Sequence, residues 1–388
     1  MAHRPLNVLQ VIPALDAGGA ERTAVDIAAA VVKDGGRAWI ATRGGRLAAE
    51  AEKKGAKLLA GAFETKNPFR IWSNAGVIAD FVRRENISII HARSRAPAWS
   101  AWIAARRTGA RFVATYHGIY NAGNALKRYY NGIMTRGDAI IANSRFTAAH
   151  VSREHHIEMS RIVVIPRGID IAAFTPESVS RERVEDIRKQ WGLKAGRPVI
   201  LLPGRLTRWK GQLGFVEALA KLPNQDFEAV LAGDPQEREG YLAELREAID
   251  RVKLTQKVRI PGHCTDMPAA LMAADIVVAP SIEPEAFGRV AVEAQAMGRP
   301  IVASRLGAQT ETVADGQTGF LFEPGNIDEL AQRMTAALSL SSQQRTDMAR
   351  LQRERVISSY TVDAMCAATL RVYQDLVGSG AIAPKSAK

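Results

Sequence analysis

The sequence predicts an α/β protein built from two Rossmann-like βαβ domains facing across a cleft. Three observations carry this. The chain has 388 residues, a length that favours two domains of ordinary size. Through the first half, short apolar runs of strand size alternate with helix-like stretches, as in a parallel sheet covered on both faces. After about residue 190 the same alternation starts again. An apolar share of 47% leaves enough side chains for two cores. No apolar run approaches the ~18–20 residues needed to span a bilayer.

The elements follow in order. Leu6–Pro13 is an apolar run that ends in a glycine-rich turn, Asp16-Ala17-Gly18-Gly19, and Ala20–Val32 has helical periodicity. Ala38–Thr42, Ile87–Ala92, Arg111–Tyr116, Ala139–Ala142 and Ile162–Ile165 are further strands. Pro176–Gln190 is charged and turn-rich and reads as a linker. Val199–Pro203 then opens the second half, with a helix from Gln212 and strands at Phe227–Ala232, Val258–Ile260, Ile276–Ala279 and Ile301–Ala303. Asp328–Leu338, Ser342–Ser359 and Thr361–Val377 read as helices, and the small polar tail Gly378–Lys388 is expected to fray. The expected domains are 1–175 and 190–360, with 361–377 as a final helix.

Four segments carry chemistry. Gly204-Arg205-Leu206-Thr207-Arg208-Trp209-Lys210-Gly211 joins a strand to a helix, and its arginines and lysine can grip phosphate oxygens. It lacks the spacing and the following Ser/Thr of a Walker A loop. In Ser281–Ser304, a loop feeds a helix start, which suits an anion. Beside it stand Glu285 and Glu293, eight positions apart, better suited to hydroxyls than to phosphate. Diphosphate at amides and hydroxyls at acids is what a nucleotide-sugar requires. Gly18-Gly19-Ala20-Glu21-Arg22 lets backbone approach a ligand, because glycine lacks Cβ. It is not the G-x-G-x-x-G of a dinucleotide site. Thr115-Tyr116-His117-Gly118 places a histidine at a strand end, where a packed histidine is the competing reading. His91 reads as structural or acceptor-facing, and His155 and His156 as solvated helix residues.

These segments resemble retaining glycosyltransferases of family four with the GT-B fold. Glu285 to Glu293 looks like the E-x7-E motif, and Gly204–Gly211 like G-R-L-x-x-x-K-G. Asp315-Gly316-Gln317-Thr318-Gly319-Phe320-Leu321 matches D-G-x-T-G-x-L. Ala142-Asn143-Ser144 and Gly233-Asp234-Pro235 are similar in the same way, the latter one glycine short. Ile165-Pro166-Arg167-Gly168-Ile169-Asp170 resembles I-P-N-G-V-D, with Arg167 where asparagine is usual. The resemblance implies catalytic roles for His117, Arg205, Lys210 and Glu285, with Arg205 and Lys210 on the donor diphosphate and Glu285 on the sugar hydroxyls. It implies donor binding by Gly18, Gly19, Gly204, Gly233, Phe287, Gly288, Arg289 and Val290, and ribose binding by Glu293. It implies that the N-terminal domain takes the acceptor, that the last helix packs back onto that domain, and that the domains close over the donor. No Asp-x-Asp pair occurs in the chain, so neither a metal nor another cofactor is expected.

Net charge is +12, all of it in the first half: residues 1–190 hold 29 Lys+Arg and 17 Asp+Glu, and residues 191–388 hold 23 of each. A one-sided positive field suggests an anionic partner, such as nucleic acid, an anionic membrane surface or an acidic glycan, although solubility alone is an alternative. Arg93, Arg95, Arg106, Arg107, Arg111, Lys127, Arg128 and Arg136 are interleaved with Trp99, Trp102, Tyr116, Tyr120, Tyr129 and Tyr130. Aromatics with cations suit nucleic acid or a membrane surface, or simply a core with a solvated basic face. A lipid-linked or acidic glycan acceptor accounts for both features, and nucleic acid is not expected as a partner. Cys264 and Cys366 have no motif context and read as free thiols. The first residues lack a signal peptide's pattern, so a cytoplasmic protein is expected, peripheral on the inner face of the membrane. The resulting reading is a hexosyltransferase of lipopolysaccharide or other envelope-glycan synthesis using a UDP- or GDP-linked sugar. The alternatives are a nucleotide-sugar 2-epimerase of the same fold and a non-enzymatic binder of polyanions or membranes.

Overall fold

A computed structural model describes residues 5–378 apart from 17, 121–122 and 237. The chain forms two compact units, residues 1–168 with 362–388, and residues 169–361.

The first unit is built on a seven-stranded parallel sheet in the order β3-β2-β1-β4-β5-β6-β7. The strands are β1 Asn7–Val11, β2 Arg37–Thr42, β3 Lys57–Ala60, β4 Ile89–Ala92, β5 Arg111–Tyr116, β6 Ala139–Ala142 and β7 Ile162–Val164. Successive side chains leave a strand on opposite faces, so both faces need apolar residues. Val8, Ile40, Ile89, Val113 and Ile141 enter one core, and Leu9, Ala41, Ile90, Ala114 and Ile140 the other. The final helix, Val362–Gly378, belongs to this unit and buries Met365, Cys366, Leu370 and Tyr373 in the core shared with the helix Gly19–Lys33.

The second unit has a six-stranded parallel sheet in the order β10-β9-β8-β11-β12-β13. These strands are β8 Val199–Pro203, β9 Glu228–Ala232, β10 Val258–Gly262, β11 Ile276–Ala279, β12 Ile301–Ser304 and β13 Phe320–Phe322. Ile200, Leu202, Ile276 and Val278 face one core, while Val199, Leu201, Val277 and Ala279 face the other. In both sheets the strand order reverses beside the first strand, the place where such sheets bind ligands at their carboxyl ends.

Two expectations need correction. The boundary lies at Gly168/Ile169 rather than near 175, and 176–190 is no linker. Pro176–Ser178 forms a 3-10 turn, and Arg181–Gln190 is a helix capped by Ser180 that buries Ile187 in the second unit's core. Its charge is the solvent face of a helix with a narrow apolar stripe. β3 and β13, edge strands of four and three residues, were not among the expected strands. The tail 379–388 lies outside the described residues.

Candidate functional site

In the second unit the site grows from the carboxyl end of β8. The chain leaves Pro203 through Gly204, makes a 3-10 turn at Arg208–Lys210, and enters the helix Gln212–Ala220 at Gly211. Gly211 has φ 75°, and a Cβ there would stand 1.9 Å from the Pro280 carbonyl oxygen, so only glycine closes this turn. Gly233, at the end of β9, packs against Gly204, and a Cβ on it would meet the Gly204 oxygen at 1.8 Å. Glycine at 233 thus lets the end of β9 sit against the Gly204 turn. Gln212, fully buried, donates from Nε2 to the Arg205 carbonyl at 2.9 Å and accepts from the Tyr241 hydroxyl at 3.0 Å, which fixes the loop from below.

The loop's cations differ. Arg208 pairs with Glu244 and stacks over the Tyr241 ring. Arg205 is exposed and makes no side-chain hydrogen bond or ion pair among the described residues, so its guanidinium is available to a ligand. Lys210 Nζ lies 2.5 Å from Glu285 Oε1 and 4.4 Å from the Trp209 ring centre. The Ser281 hydroxyl donates to the same Glu285 oxygen at 2.7 Å. The structure thus brings together Lys210 and Glu285, 75 positions apart in sequence. The reading of the residues gave one to phosphate and the other to sugar hydroxyls, and overlooked that they pair with each other.

Glu285 leads to the helix Arg289–Ala296, which starts at Gly288 with φ 76° and has no side-chain cap. The Ala291 amide donates to the Gly288 carbonyl at 3.0 Å, while the Arg289 and Val290 amides at the positive end of the helix dipole suit an anion. Phe287 is buried against Tyr360, with ring centres 5.8 Å apart, so only its backbone can serve a ligand. Val290 is half-buried and packs on the neighbouring core. Glu293 is buried and accepts from Arg289 Nε at 2.5 Å. Burial raises the Glu293 carboxyl above the ordinary glutamate range, against the opposing charge and hydrogen bond of Arg289. That pairing gives Arg289, whose side-chain role the sequence left open, a definite partner.

In the first unit Gly18 caps the helix Gly19–Lys33 by its backbone. Around it the ends of β4 to β7 deliver Arg93, His117, Asn143 and Arg167. The Asn143 amide and Arg167 Nη2 both donate to the His117 carbonyl, at 3.3 and 3.2 Å. Both His117 ring nitrogens are buried without a hydrogen-bond partner. Burial, then the charges of Arg167 and Arg93, hold the His117 ring far below the ordinary histidine range, so it is neutral at pH 7. His91 is structural: fully buried, it bonds the Tyr373 hydroxyl at 2.5 Å and the Thr115 hydroxyl at 2.7 Å. His155 ends a helix and His156 is its left-handed cap.

The basic-aromatic stretch divides along the same lines. Tyr116 is core, and Trp99 and Trp102 pack on it, with the Arg136 guanidinium 4.9 Å from the Trp102 ring centre. Cys264 and Cys366 are free, and burial lifts the Cys366 thiol to about 12. Among the described residues no three His, Cys, Asp or Glu side chains gather as a metal site, and no helix is long and apolar enough to cross a membrane.

Residues 17–173 match the family described as Glycosyltransferase Family 4, and residues 183–355 match Glycosyl transferases group 1. The crystal structure of a glycosyltransferase from Rickettsia africae is 35% identical, with a TM-score of 0.92 over 97% of this chain and 100% of that one. The chain belongs to these glycosyltransferases. The enzyme has their GT-B fold of two Rossmann-like domains. It is also similar to HepE of Anabaena, solved with UDP and glucose, at 25% identity and a TM-score of 0.83, covering 95% of this chain and 100% of that one. The D-inositol 3-phosphate glycosyltransferase of Corynebacterium urealyticum is 28% identical over 294 residues, 70% of this chain and 68% of that protein.

Proposed function

We propose that this glycosyltransferase moves a hexose from a nucleotide-diphosphate sugar, UDP- or GDP-linked, to a glycan or lipid-linked acceptor with retention of anomeric configuration. The observation that carries this is the grouping of Arg205, Lys210, Glu285 and the uncapped helix start at Gly288 beyond the carboxyl ends of β8 and β11. The UDP and glucose bound by the Anabaena relative favour UDP as the carrier. As the acceptor oxygen forms its bond to the sugar C1, the bond from C1 to the diphosphate breaks on the same face. The departing phosphate oxygen takes the acceptor's proton. Arg205 and Lys210 meet the charge that develops on that oxygen, a contribution of roughly 10²–10³ in rate. Glu285 and His117 position the sugar, and Glu293 the ribose. Two protein cations and a helix dipole do the work a divalent ion does elsewhere, so no metal is required.

The acceptor is assigned to the first unit and to the envelope-glycan class, lipopolysaccharide included. This unit holds 28 Lys+Arg against 14 Asp+Glu, a balance of +14, whereas the second holds 24 against 26. Phe69 and Trp72 are exposed at the start of the helix Pro68–Glu85, and Leu126 and Tyr129 on Ala125–Asn131, among basic neighbours. Apolar tips set in positive charge suit peripheral attachment to an anionic membrane. Membership of the family favours transfer over epimerisation or non-enzymatic binding.

A screen of UDP-, GDP- and ADP-sugars by thermal shift and donor hydrolysis, with and without chelator, tests the reading. A saturating donor at 100 times its dissociation constant adds about 2.7 kcal/mol of stability. Stabilisation by one nucleotide-sugar, unchanged by chelator and lost in Glu293→Ala, is the expected result. No response to any donor, or a response that chelator abolishes, contradicts it.

A further inference from the structure

Lys210 and Glu285 are each assigned to the donor, yet the structure joins them to one another. Lys210 Nζ stands 2.5 Å from Glu285 Oε1, and each side chain is only 13% exposed, against 64% and 34% for the neighbouring pair of Arg208 with Glu244. A pair so sheltered is screened little, and removing one partner strands a charge that is costly to leave alone. The backbone around it is fixed. The Ile282 amide donates to the Trp209 carbonyl at 2.8 Å, the Ala308 amide donates to the Glu285 carbonyl at 2.9 Å, and Gly211 sits against Pro280. The lysine stem runs beside Gly204, where a Cβ would stand 3.8 Å from its Cδ and Cε. Side-chain torsions, rather than loop motion, therefore part the ammonium from the carboxylate. A ligand that takes Lys210 must give Glu285 something in return. An intact nucleotide-sugar does so: its phosphate takes the ammonium, and a sugar hydroxyl donates to the carboxylate. A nucleoside diphosphate takes the ammonium and offers no sugar hydroxyl. Its terminal phosphate also carries an ionisable oxygen that the sugar ester lacks, so it brings extra negative charge toward a stranded carboxylate.

We propose that the Lys210–Glu285 pair makes the site discriminate between the intact donor and the nucleoside diphosphate left after transfer. The donor replaces both halves of the pair with contacts of its own, and the diphosphate replaces only one. The inference rests on the proposed function, because it takes the diphosphate to Lys210 and the sugar to Glu285. It adds a role that neither contact implies by itself: the carboxylate that positions the sugar also disfavours the product, as a repulsive element does in a selective site. The pair re-forms as the nucleoside diphosphate leaves, which favours release.

The test measures binding of matched ligands to the full chain by calorimetry: UDP with UDP-glucose, and GDP with GDP-mannose. Glu285→Gln keeps the shape of the side chain and an acceptor for Ser281 but removes the charge. It should tighten the nucleoside diphosphate about 10-fold and leave the nucleotide-sugar no tighter, so that the preference for donor falls. Glu285→Ala should also tighten the diphosphate, so one folded variant of the two is enough. In a Lys210→Ala background, where no ammonium is left to free, Glu285→Gln should tighten the diphosphate by less than about threefold. Three results overturn the proposal and leave nucleotide binding at this loop standing: diphosphate affinity unchanged or weaker in a folded Glu285 variant, equal tightening of diphosphate and nucleotide-sugar, or the same tightening with and without Lys210. Failure of all four ligands to bind the unmutated chain overturns the donor reading, and the discrimination with it.

Discussion

The two units use the same sheet topology and solve the problem of charge at a strand edge in opposite ways. In the second unit the cations ride on a surface loop. Arg205 reaches solvent, and Lys210 pairs with Glu285, whose carboxylate also accepts from the Ser281 hydroxyl. Little of that cost falls on folding, because the charges keep water or a carboxylate. In the first unit the charge is sunk. Arg93 and His91 are buried among Gln10, Thr115 and Tyr373, and His117 is pressed between burial and two cations. The difference teaches where each unit's site is fragile. A change in the second should mostly alter binding and rate. A change in the first should alter folding as well, since its polar network is buried and loses its desolvation penalty only while fully paired.

The largest effect expected breaks the second unit's exemption from that rule. Gly211→Ala combines a left-handed backbone with a Cβ 1.9 Å from the Pro280 oxygen. It should cost about 4 kcal/mol in a denaturant titration, and a loss below about 1 kcal/mol would show that the turn yields easily. Glu285→Gln comes next: transfer should fall by about 10²-fold with the melting temperature little changed, because positioning is lost and not the fold. His91→Phe should do the reverse, with about 2 kcal/mol of stability lost as the Thr115 and Tyr373 hydroxyls are left short of a partner.

The most gradual effect is one of pH. Burial lowers the His91 and His117 rings well below the ordinary value of 6.5. The folded chain then binds fewer protons than the unfolded chain below pH 6.5, so stability present at neutral pH is lost as the pH falls through 6.5. Each ring should contribute a slope of about 1.4 kcal/mol per pH unit below that point, and His91→Phe should remove one of them. A flat profile between pH 7 and 5 would contradict the buried, neutral assignment.

Much of this was legible in the sequence, unevenly. Strands such as Val199–Pro203 and Ile276–Ala279 announce themselves as apolar runs between turn residues, because a strand covered on both faces has no polar face to show. The helix Arg181–Gln190 did not, since a single buried Ile187 among charges looks like a linker until its partner surface is known. In the segments after β8 and β11, residue types at fixed spacing mark Arg205, Lys210 and Glu285. The pairing of Lys210 with Glu285 depends on two strands lying side by side, which spacing along the chain does not encode. Arg93 shows the same limit. In the sequence it is one of eight basic residues in an aromatic stretch, and only burial singles it out. The segments around His117, Asn143 and Arg167 mark that edge in the sequence, but Arg93 beside them does not stand out.

The most direct test of the central claim is steady-state transfer by Lys210→Ala beside Arg208→Ala. The two residues share one loop, but Arg208 is exposed and paired with Glu244, while Lys210 is held against Glu285. Lys210→Ala should lower kcat by roughly 10²–10³ with an unchanged circular dichroism spectrum, and Arg208→Ala should stay near the unmutated rate. Full transfer activity in Lys210→Ala would contradict the assignment of the donor diphosphate to this loop.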